Sequence, residues 1–552
     1  MSLGQATSFL WNHPALWPVA LFAVVAPVLY GGAGFTRARL SHPEAVALVT
    51  GAVLCLGLFA FNVLFYLSSS SFLDLWESLS GSIASLLRNG GEVYPNLAHE
   101  ERYASPYGPV LYLTIAASQW AFGASVFATK LPCAVAALAA VGLMWGIVYA
   151  QSKSIGLASV FAGVEGALLL AFRTQAFWPK PDALILLLVT VGWVVAWQRS
   201  WRWGVVMGVC IGLAVDLKPH AAAYFLPLAV LGYRNGWSAR AFVVAGFAAL
   251  LTTALPFALL PHQFPLLNYL RILVMTVHEG FGLDSALNFF KWAVLLAGLL
   301  FIADHWQRRD SPAMPPTSRR IRMFYRGAVA LGILLVAVPG ASIGSGPRHL
   351  MPFIPLILLP VSLRLSRRGV EESVPENALW RALTYCVLAS CLLIAGQTTG
   401  RTVEACSLYS DVHENGRREL QRVAAQYAPA AVLLGAGDNE HVALAFLRHE
   451  LVFAGNPIGI DLASTMDYRR AGVPESNLAK LGQELRHRCH GRPIVWVLPR
   501  GEPFSFVSVY DSRPVFSEAF RREFSDAFEL RERSRYFDIY MAKSPIEEPT
   551  PF

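Results

Sequence analysis

Residues 45–77 read AVALVTGAVLCLGLFAFNVLFYL and then SSSSFLDLWE, and the break between the two halves sets the architecture. Ala45 to Leu67 carries no charged residue and exceeds the ~20 residues a helix needs to cross the hydrocarbon core of a bilayer. From Ser68 to Gly108 the chain turns polar, with Asp74, Glu77, Glu92, Glu100 and Glu101 beside Arg88 and Arg102, and apolar sequence resumes at Val110. A polar stretch enclosed by apolar ones is a loop at a membrane surface. Asp74 stands at its head, in Asp74-Leu75-Trp76-Glu77, with Trp76, Tyr94, Tyr103 and Tyr107 as aromatic neighbours. A carboxylate in such a place suits a general base or a ligand for a charged group; the competing reading is a solvated loop whose acids do nothing.

Composition agrees with a membrane location. The chain is 55% hydrophobic and 15% charged, with a mean hydropathy of +0.44, outside the balance of soluble globular proteins. Trp and Tyr sit at segment ends, as at Trp17, Tyr30, Trp145, Tyr149, Trp178 and Trp197, where amphipathic rings anchor at the interface. The net charge of +8 does not imply nucleic acid, because the arginines cluster in short loops between apolar runs and read as orientation signals. The run Ala15 to Tyr30 has no Lys or Arg before it and no small-residue cleavage site, so it is expected to stay as a helix. Of the seven Cys, Cys55, Cys133, Cys210, Cys386 and Cys391 lie in apolar segments; Cys406 and Cys489 lie in polar sequence and are expected as free thiols.

Further apolar segments run Phe127–Tyr149, Ile155–Phe172, Ala183–Trp197, Gly204–Val215, Ala221–Leu231, Ala241–Leu260, Trp292–Ala303, Ala328–Val338, Met351–Leu363 and Ala382–Ala395. Basic loops hold Arg199 and Arg202, then Arg234 and Arg240, then Arg308 to Arg326, then Arg364 to Arg368, and all fall on one side, which the positive-inside rule makes cytoplasmic. Lys180-Pro181-Asp182, Asp216 to His220, the long loop Pro261 to Lys291 and Gly346 to His349 face the other side. Arg37 and Arg39 put Asp74 on that same outer side only if Pro109–Phe122, fourteen residues long, is re-entrant or otherwise fails to cross, which leaves twelve spans. The expected architecture is an α-helical polytopic membrane protein with about 12–13 apolar helices in residues 1–399 and a small extracytoplasmic α/β domain in 400–552. In the latter, Ala431–Gly435, Leu451–Gly455, Pro493–Leu498 and Tyr536–Ala542 read as strands, and His441–His449, Asn477–Arg488 and Ser517–Phe528 as amphipathic helices. Gly435-Ala436-Gly437-Asp438 lacks the third glycine of a nucleotide-binding turn and has Glu440 and His441 in its path, so it reads as an ordinary strand-to-helix turn. His278-Glu279 with Asp284 lacks a second ligand at helical spacing and reads as loop.

Several motifs in this order resemble the GT-C class of polyprenyl-phosphate-sugar-dependent glycosyltransferases, to which protein O-mannosyltransferases and lipid A aminoarabinose transferases belong. Asp74-Leu75-Trp76-Glu77 resembles the first-loop acidic motif. Asn89 to Pro95 followed by Ser105-Pro106-Tyr107-Gly108-Pro109 is similar to the Gly-x-x-Tyr and Tyr-x-Pro segment, and Trp178 to Leu184 to the second acidic point. Gly212 to Pro219 resembles the Gly-Leu-Ala…Lys segment, and Gly346 to Pro352 the late Arg-x-Leu-x-Pro segment. The resemblance covers about the first four hundred residues. An extra apolar run precedes the acid, and the acidic pair is Asp-x-x-Glu in place of adjacent Asp-Glu, which leaves subfamily, sugar and acceptor open.

The resemblance implies a polyprenyl-phosphate-linked sugar donor, a glycan, lipid or protein acceptor, no nucleic acid, and a place in the plasma membrane. Catalysis falls to Asp74 as base, with Glu77 one turn away to orient the acceptor, share a divalent metal or repel Asp74; no cofactor is fixed by the sequence, and a divalent metal stays open. Lys218, Arg348 and His349, at outer helix ends, are the expected donor-phosphate ligands, and Asp182, Tyr103 and Tyr107 the expected cavity walls. The competing readings are a snorkelling Lys218, Asp182 as a helix cap, and Arg348 paired with an acid. Two other classes are a transporter or flippase of lipid-linked substrates, for which no internal repeat is visible, and a non-catalytic scaffold, for which Asp74 would be dispensable.

Overall fold

The computed structural model describes residues 42–278, 280–310, 316–368 and 378–543. The expected helix Ala15–Tyr30, Arg37, Arg39 and Glu279 lie outside the described residues, as do the side chains of Arg308, Arg309, Arg364, Arg367, Arg368 and Cys386. The helices in chain order are α1 His42–Ser68, α2 Leu75–Arg88, α3 Pro109–Phe122, α4 Val126–Ser152, α5 Ile155–Leu170, α6 Pro181–Ala196 and α7 Arg202–Leu217. They continue with α8 Leu226–Arg234, α9 Ala239–Leu259, α10 Leu266–Val277, α11 Leu283–Asp310, α12 Pro316–Gly340, α13 Phe353–Arg368 and α14 Ala378–Gln426. Among the described residues, four stretches are long and apolar enough to cross a bilayer: Val46–Ser68, Val126–Ser152, Ala239–Leu259 and Arg320–Gly340. The chain is a polytopic, mostly helical membrane protein. The fourteen residues of α3 extend only ~21 Å at ~1.5 Å per residue, short of a ~30 Å hydrocarbon core.

Two expectations about the membrane part need correction. The stretch Pro261–Lys291, expected as one long loop, contains α10 and the start of α11; its apolar residues Leu266, Leu267, Leu270, Ile272, Leu273 and Val274 recur at helical spacing around Asn268 and Arg271, which masked the period. Ala221–Leu231, expected as a continuous span, opens with a 3₁₀ segment, Pro219–Phe225, and only then becomes α8, because Pro219 and Pro227 each remove an amide donor.

The chain divides into two compact units. The described residues of the first fall within Met1–Tyr66, Cys133–Ala254 and Phe281–Thr402; those of the second within Leu67–Pro132, Leu255–Gly280 and Val403–Phe552. In the first, α7 lays Gly204 and Gly208, spaced by four, against the backbone of α9: a Cβ at Gly204 would stand 2.4 Å from the Ala241 carbonyl oxygen, and one at Gly208 2.3 Å from that of Ala245. Small residues let membrane helices approach this closely. Gly208→Ala is therefore expected to destabilise the protein by about 1–3 kcal/mol, read as a lowered melting temperature in detergent; an unchanged midpoint would mean the two helices are not in backbone contact.

The second unit contains a four-stranded sheet in the order β1-β2-β4-β3, with β1 Ala431–Leu434 parallel to β2 Ile494–Pro499, and β4 Phe537–Ala542 antiparallel to both β2 and β3 Phe528–Arg533. Successive side chains point to opposite faces. Val432, Leu434, Val495, Val497 and Ile539 pack on Leu420 and Val423 of α14. Leu433, Trp496 and Leu498 pack on the other side against Leu481 and Leu485 of one helix and Phe520 and Phe524 of another. The small α/β fold expected here is present, with helices α15 Val442–Ala445, α16 Arg448–Phe453, α17 Leu462–Arg470, α18 Leu478–Arg488 and α19 Glu518–Ala527.

Three local expectations fail. Leu451–Gly455 is helical at its start, as the end of α16, because a short apolar run does not by itself distinguish strand from helix. His441–His449 holds two short helices with a break at Phe446 and Leu447. Phe528–Arg533, whose first residue is expected to end a helix, is the charged edge strand β3; its pattern FELRER hides a strand, since sheet edges carry charge. The helix α14 also runs unbroken from apolar into polar sequence past Gly400. All six cysteines with described side chains are free and buried, Cys406 and Cys489 included.

Candidate active site

In the first unit, charged residues meet at the ends of α6 and α7. Pro181 starts α6 and puts Asp182 in its first turn, where the helix dipole favours a carboxylate; Lys218 caps the C-terminus of α7, where it favours a cation. The two form an ion pair, Lys218 Nζ to Asp182 Oδ1 at 2.6 Å, and Arg348 Nε lies 4.0 Å from Asp182 Oδ2. Arg348 is placed by a 3₁₀ turn, Pro347–Leu350, entered through Gly346 at φ 92°. A third cation, Lys180, also acts on Asp182 and holds its Nζ 3.5 Å from the centre of the Trp178 ring, which Arg348 faces from 6.0 Å. Three cations thus gather around the Asp182 carboxylate. Each is at most about a tenth exposed, so their charges are screened by water less than exposed charges would be.

The expectations for Asp182, Lys218 and Arg348 therefore converge on a single cluster, and Lys180 joins them as a member that its place in Trp178 to Leu184 did not mark out. Arg348 does pair with an acid, and that acid is Asp182. His349 lies behind: its Nε2 is 2.7 Å from Ser345 Oγ, its Nδ1 is 3.1 Å from His220 Nε2, and its carbonyl accepts from the Tyr224 hydroxyl at 2.8 Å. The His349 ring is thus committed to Ser345 and His220, which makes it a support for the turn that carries Arg348.

In the second unit, Asp74 is the N-cap of α2: its extended backbone (φ −151°, ψ 147°) lets Oδ1 accept from Trp76 N at 2.6 Å. The side chain remains partly exposed. Glu77, in the first turn, is fully buried and accepts from Leu73 N at 3.4 Å. Its charge acts on Lys130, whose ammonium also donates to the Ser71 and Ser69 carbonyls at 2.7 and 3.1 Å. Glu77 is thereby occupied with a buried lysine, and Asp74 with a cap. Among the described residues the only group of three ligating side chains close enough to share an ion is Asp438, Glu440 and His441. Lys130 was not among the expected site residues, although a single lysine early in an apolar helix is a legible signal.

The C-terminal segment grips this loop. Arg102 N donates to the Gly459 carbonyl at 3.0 Å and Asp461 N donates to the Arg102 carbonyl at 2.7 Å, in a parallel bridge with Ile460. Ala104 N donates to Ser464 Oγ at 3.0 Å. Asp461 caps α17 through Ser464 N and pairs with buried Arg448 at 3.2 Å. His449 packs its ring edge-on to Phe72 at 4.6 Å and lies 3.3 Å from Ser78 Oγ, so it touches the residues on both sides of Asp74. Tyr103 is buried and donates to the Glu92 carbonyl at 3.1 Å; Tyr107 is nearly buried, and its carbonyl accepts from Tyr94 at 2.8 Å. Both tyrosines brace the loop. Tyr510 stands beside α2: partial burial, then the Asp467 and Asp74 carboxylates, push its phenol up.

Glu101 is buried with Arg488 Nη1 at 2.5 Å. Burial pushes its carboxyl up to about 7 against the pull of Arg488. The folded state then keeps a proton that the unfolded chain releases near its ordinary value of 4.5, so the contribution of this group to stability is present below that value and declines as pH rises to about 7. The melting temperature is expected to fall over that window, and Glu101→Gln to flatten the fall. Equal slopes in the two proteins would mean that Glu101 does not hold the proton.

Two solved structures of ArnT from Cupriavidus metallidurans are similar to this chain in fold. The one bound to undecaprenyl phosphate matches with a TM-score of 0.51 and 13% identity over 91% of this chain and 98% of that one. The apo form matches with a TM-score of 0.54 and 14% identity over 89% and 97%. No protein-family model matches the chain, and no curated protein matches it in sequence.

Proposed function

We propose that the chain is a glycosyltransferase that moves a hexosyl or pentosyl group from a polyprenyl-phosphate donor to an acceptor hydroxyl at the extracytoplasmic face of the plasma membrane, with its C-terminal domain on that side. The observation that carries the reading is the buried gathering of Lys180, Lys218 and Arg348 around Asp182 at helix ends, in a fold similar to that of ArnT bound to undecaprenyl phosphate. A lipid phosphate needs cations at the membrane boundary while its tail stays in hydrocarbon, and helix ends supply them.

In this reading Lys218 and Arg348 hold the phosphate and stabilise the charge it gains as the bond from the anomeric carbon to phosphate oxygen breaks. Asp74 takes the proton of the acceptor hydroxyl as its oxygen bonds to the anomeric carbon from the opposite face, so the centre inverts and polyprenyl phosphate leaves. Glu77 and Lys130 fix the first turn of α2 and with it the aim of Asp74. The acceptor is a glycan, lipid or protein hydroxyl.

The test is reconstitution into liposomes with polyprenyl-phosphate hexoses and pentoses labelled in the sugar, and with envelope acceptors. Consumption of one donor with matching release of polyprenyl phosphate is expected. Intact donor carried across the bilayer, with none consumed, would instead identify a transporter and end the transferase reading.

A further inference from the structure

We propose that His220 is a positioning residue for the donor phosphate: through His349 it fixes the turn that presents Arg348. The inference rests on the reading of Lys218 and Arg348 as phosphate ligands, and it names what holds the second of them in place. The two cations are secured differently. Lys218 Nζ is tied directly to Asp182 Oδ1 at 2.6 Å. Arg348 Nε stands 4.0 Å from Asp182 Oδ2, beyond hydrogen-bond reach, and its Nη1 meets the Gly344 carbonyl only at 3.4 Å. Contacts this long do not set a guanidinium, so its place follows from the turn Pro347–Leu350 that carries it.

That turn is bolted to the 3₁₀ segment Pro219–Phe225, which starts at the residue after Lys218. His220 Nε2 lies 3.1 Å from His349 Nδ1, the two ring centres are 4.9 Å apart, and His349 Nε2 lies 2.7 Å from Ser345 Oγ. Each gap takes one proton, so the chain runs in one direction. Either His220 donates to His349 and His349 to Ser345, or Ser345 donates to His349 and His349 to His220. Farther along the same segment, the Tyr224 hydroxyl donates to the His349 carbonyl at 2.8 Å, and the Tyr224 ring meets Phe353, the first residue of α13, edge-on at 5.0 Å. The segment is itself backed by α12, where a Cβ at Gly332 would stand 2.9 Å from the Ala223 carbonyl oxygen.

Of these ties the imidazole pair is the one that bears on the phosphate. It joins the second residue after Lys218 to the residue after Arg348, and so fixes the spacing between two cations that one phosphate must meet together. Ligands held within about half an ångström of their working geometry bind without reorganisation, and a displacement of ~1 Å is costly. Tyr224 holds the turn at a backbone carbonyl. A single tie leaves the turn free to pivot; the second, at the His349 ring, removes that freedom.

The experiment measures binding of undecaprenyl phosphate to the full chain in lipid nanodiscs, with no sugar donor and no acceptor. His220→Ala is expected to weaken binding about three- to tenfold, the worth of one hydrogen bond. His220→Gln, whose carboxamide offers a donor and an acceptor near the position of Nε2, is expected to restore affinity to within about twofold of wild type. In Arg348→Ala, which lacks the guanidinium, adding His220→Ala should cost less than about twofold, because residues that act as a unit are not additive. Wild-type affinity in His220→Ala, failure of Gln to restore it, or full additivity with Arg348→Ala overturns the proposal, the last by making His220 a purely structural residue. His220→Asn, polar but too short to reach His349, takes the place of the alanine variant if that one fails to fold. Absence of binding by the wild-type chain ends the phosphate-site reading and this proposal together; tight binding by every His220 variant ends the proposal alone.

Discussion

Asp74→Asn is expected to lower sugar transfer by about 10²–10⁴-fold, the range attributed to a positioned general base, while expression, melting temperature and polyprenyl-phosphate binding hold. The reason is the cap. Asp74 Oδ1 accepts from Trp76 N at 2.6 Å, and Asn is as good an N-cap as Asp, so the amide keeps α2 in place and removes only the ability to take a proton. Asp74→Ala removes both and is expected to cost about 1 kcal/mol of stability as well. Transfer by Asp74→Asn at the wild-type rate would leave Asp74 as a cap and nothing more.

The second large effect concerns Lys218. Its 2.6 Å pair with Asp182 is buried on both sides, so Lys218→Ala strands a carboxylate in a low-dielectric site and is expected to destabilise the protein by about 3–5 kcal/mol. A structural and a ligand-binding role are separated by the double variant Lys218→Ala with Asp182→Asn. The amide has no charge to strand, so stability should largely return, whereas affinity for polyprenyl phosphate should remain low because the cation is still missing. Recovery of both together would make Lys218 a structural partner of Asp182 and remove it from phosphate binding. The neighbouring Arg348, at 4.0 Å, is expected to compensate only in part, since its guanidinium lies farther from the carboxylate.

How much of this is readable along the chain depends on how local each signal is. Ala45–Leu67 announces a membrane helix through length and the absence of charge alone, whereas Leu75–Arg88, read as part of the polar loop Ser68 to Gly108, is the helix α2. The caps Asn477 and Ser517 mark α18 and α19 within a residue. Signals that depend on a distant partner are hidden. Phe528–Arg533 looks unlike a strand because only its pairing with β4 makes it one. The apolar α10 looks like loop because Asn268 and Arg271 interrupt it, and Asn268 is there to bond Glu92 and the Tyr94 carbonyl at 3.1 Å each.

The class of molecule follows from local features: apolar length, charge asymmetry and turn residues act over one or two helical turns, and they require a polytopic helical protein with a polar loop headed by Asp74 and a small α/β region after it. Which charges meet is a matter for the folded chain. Asp182 and Lys218 are 36 residues apart and Ala104 and Ser464 are 360 apart. No local preference selects such partners. Burial does, because a charge or backbone amide withdrawn from water must find its complement wherever the chain brings one.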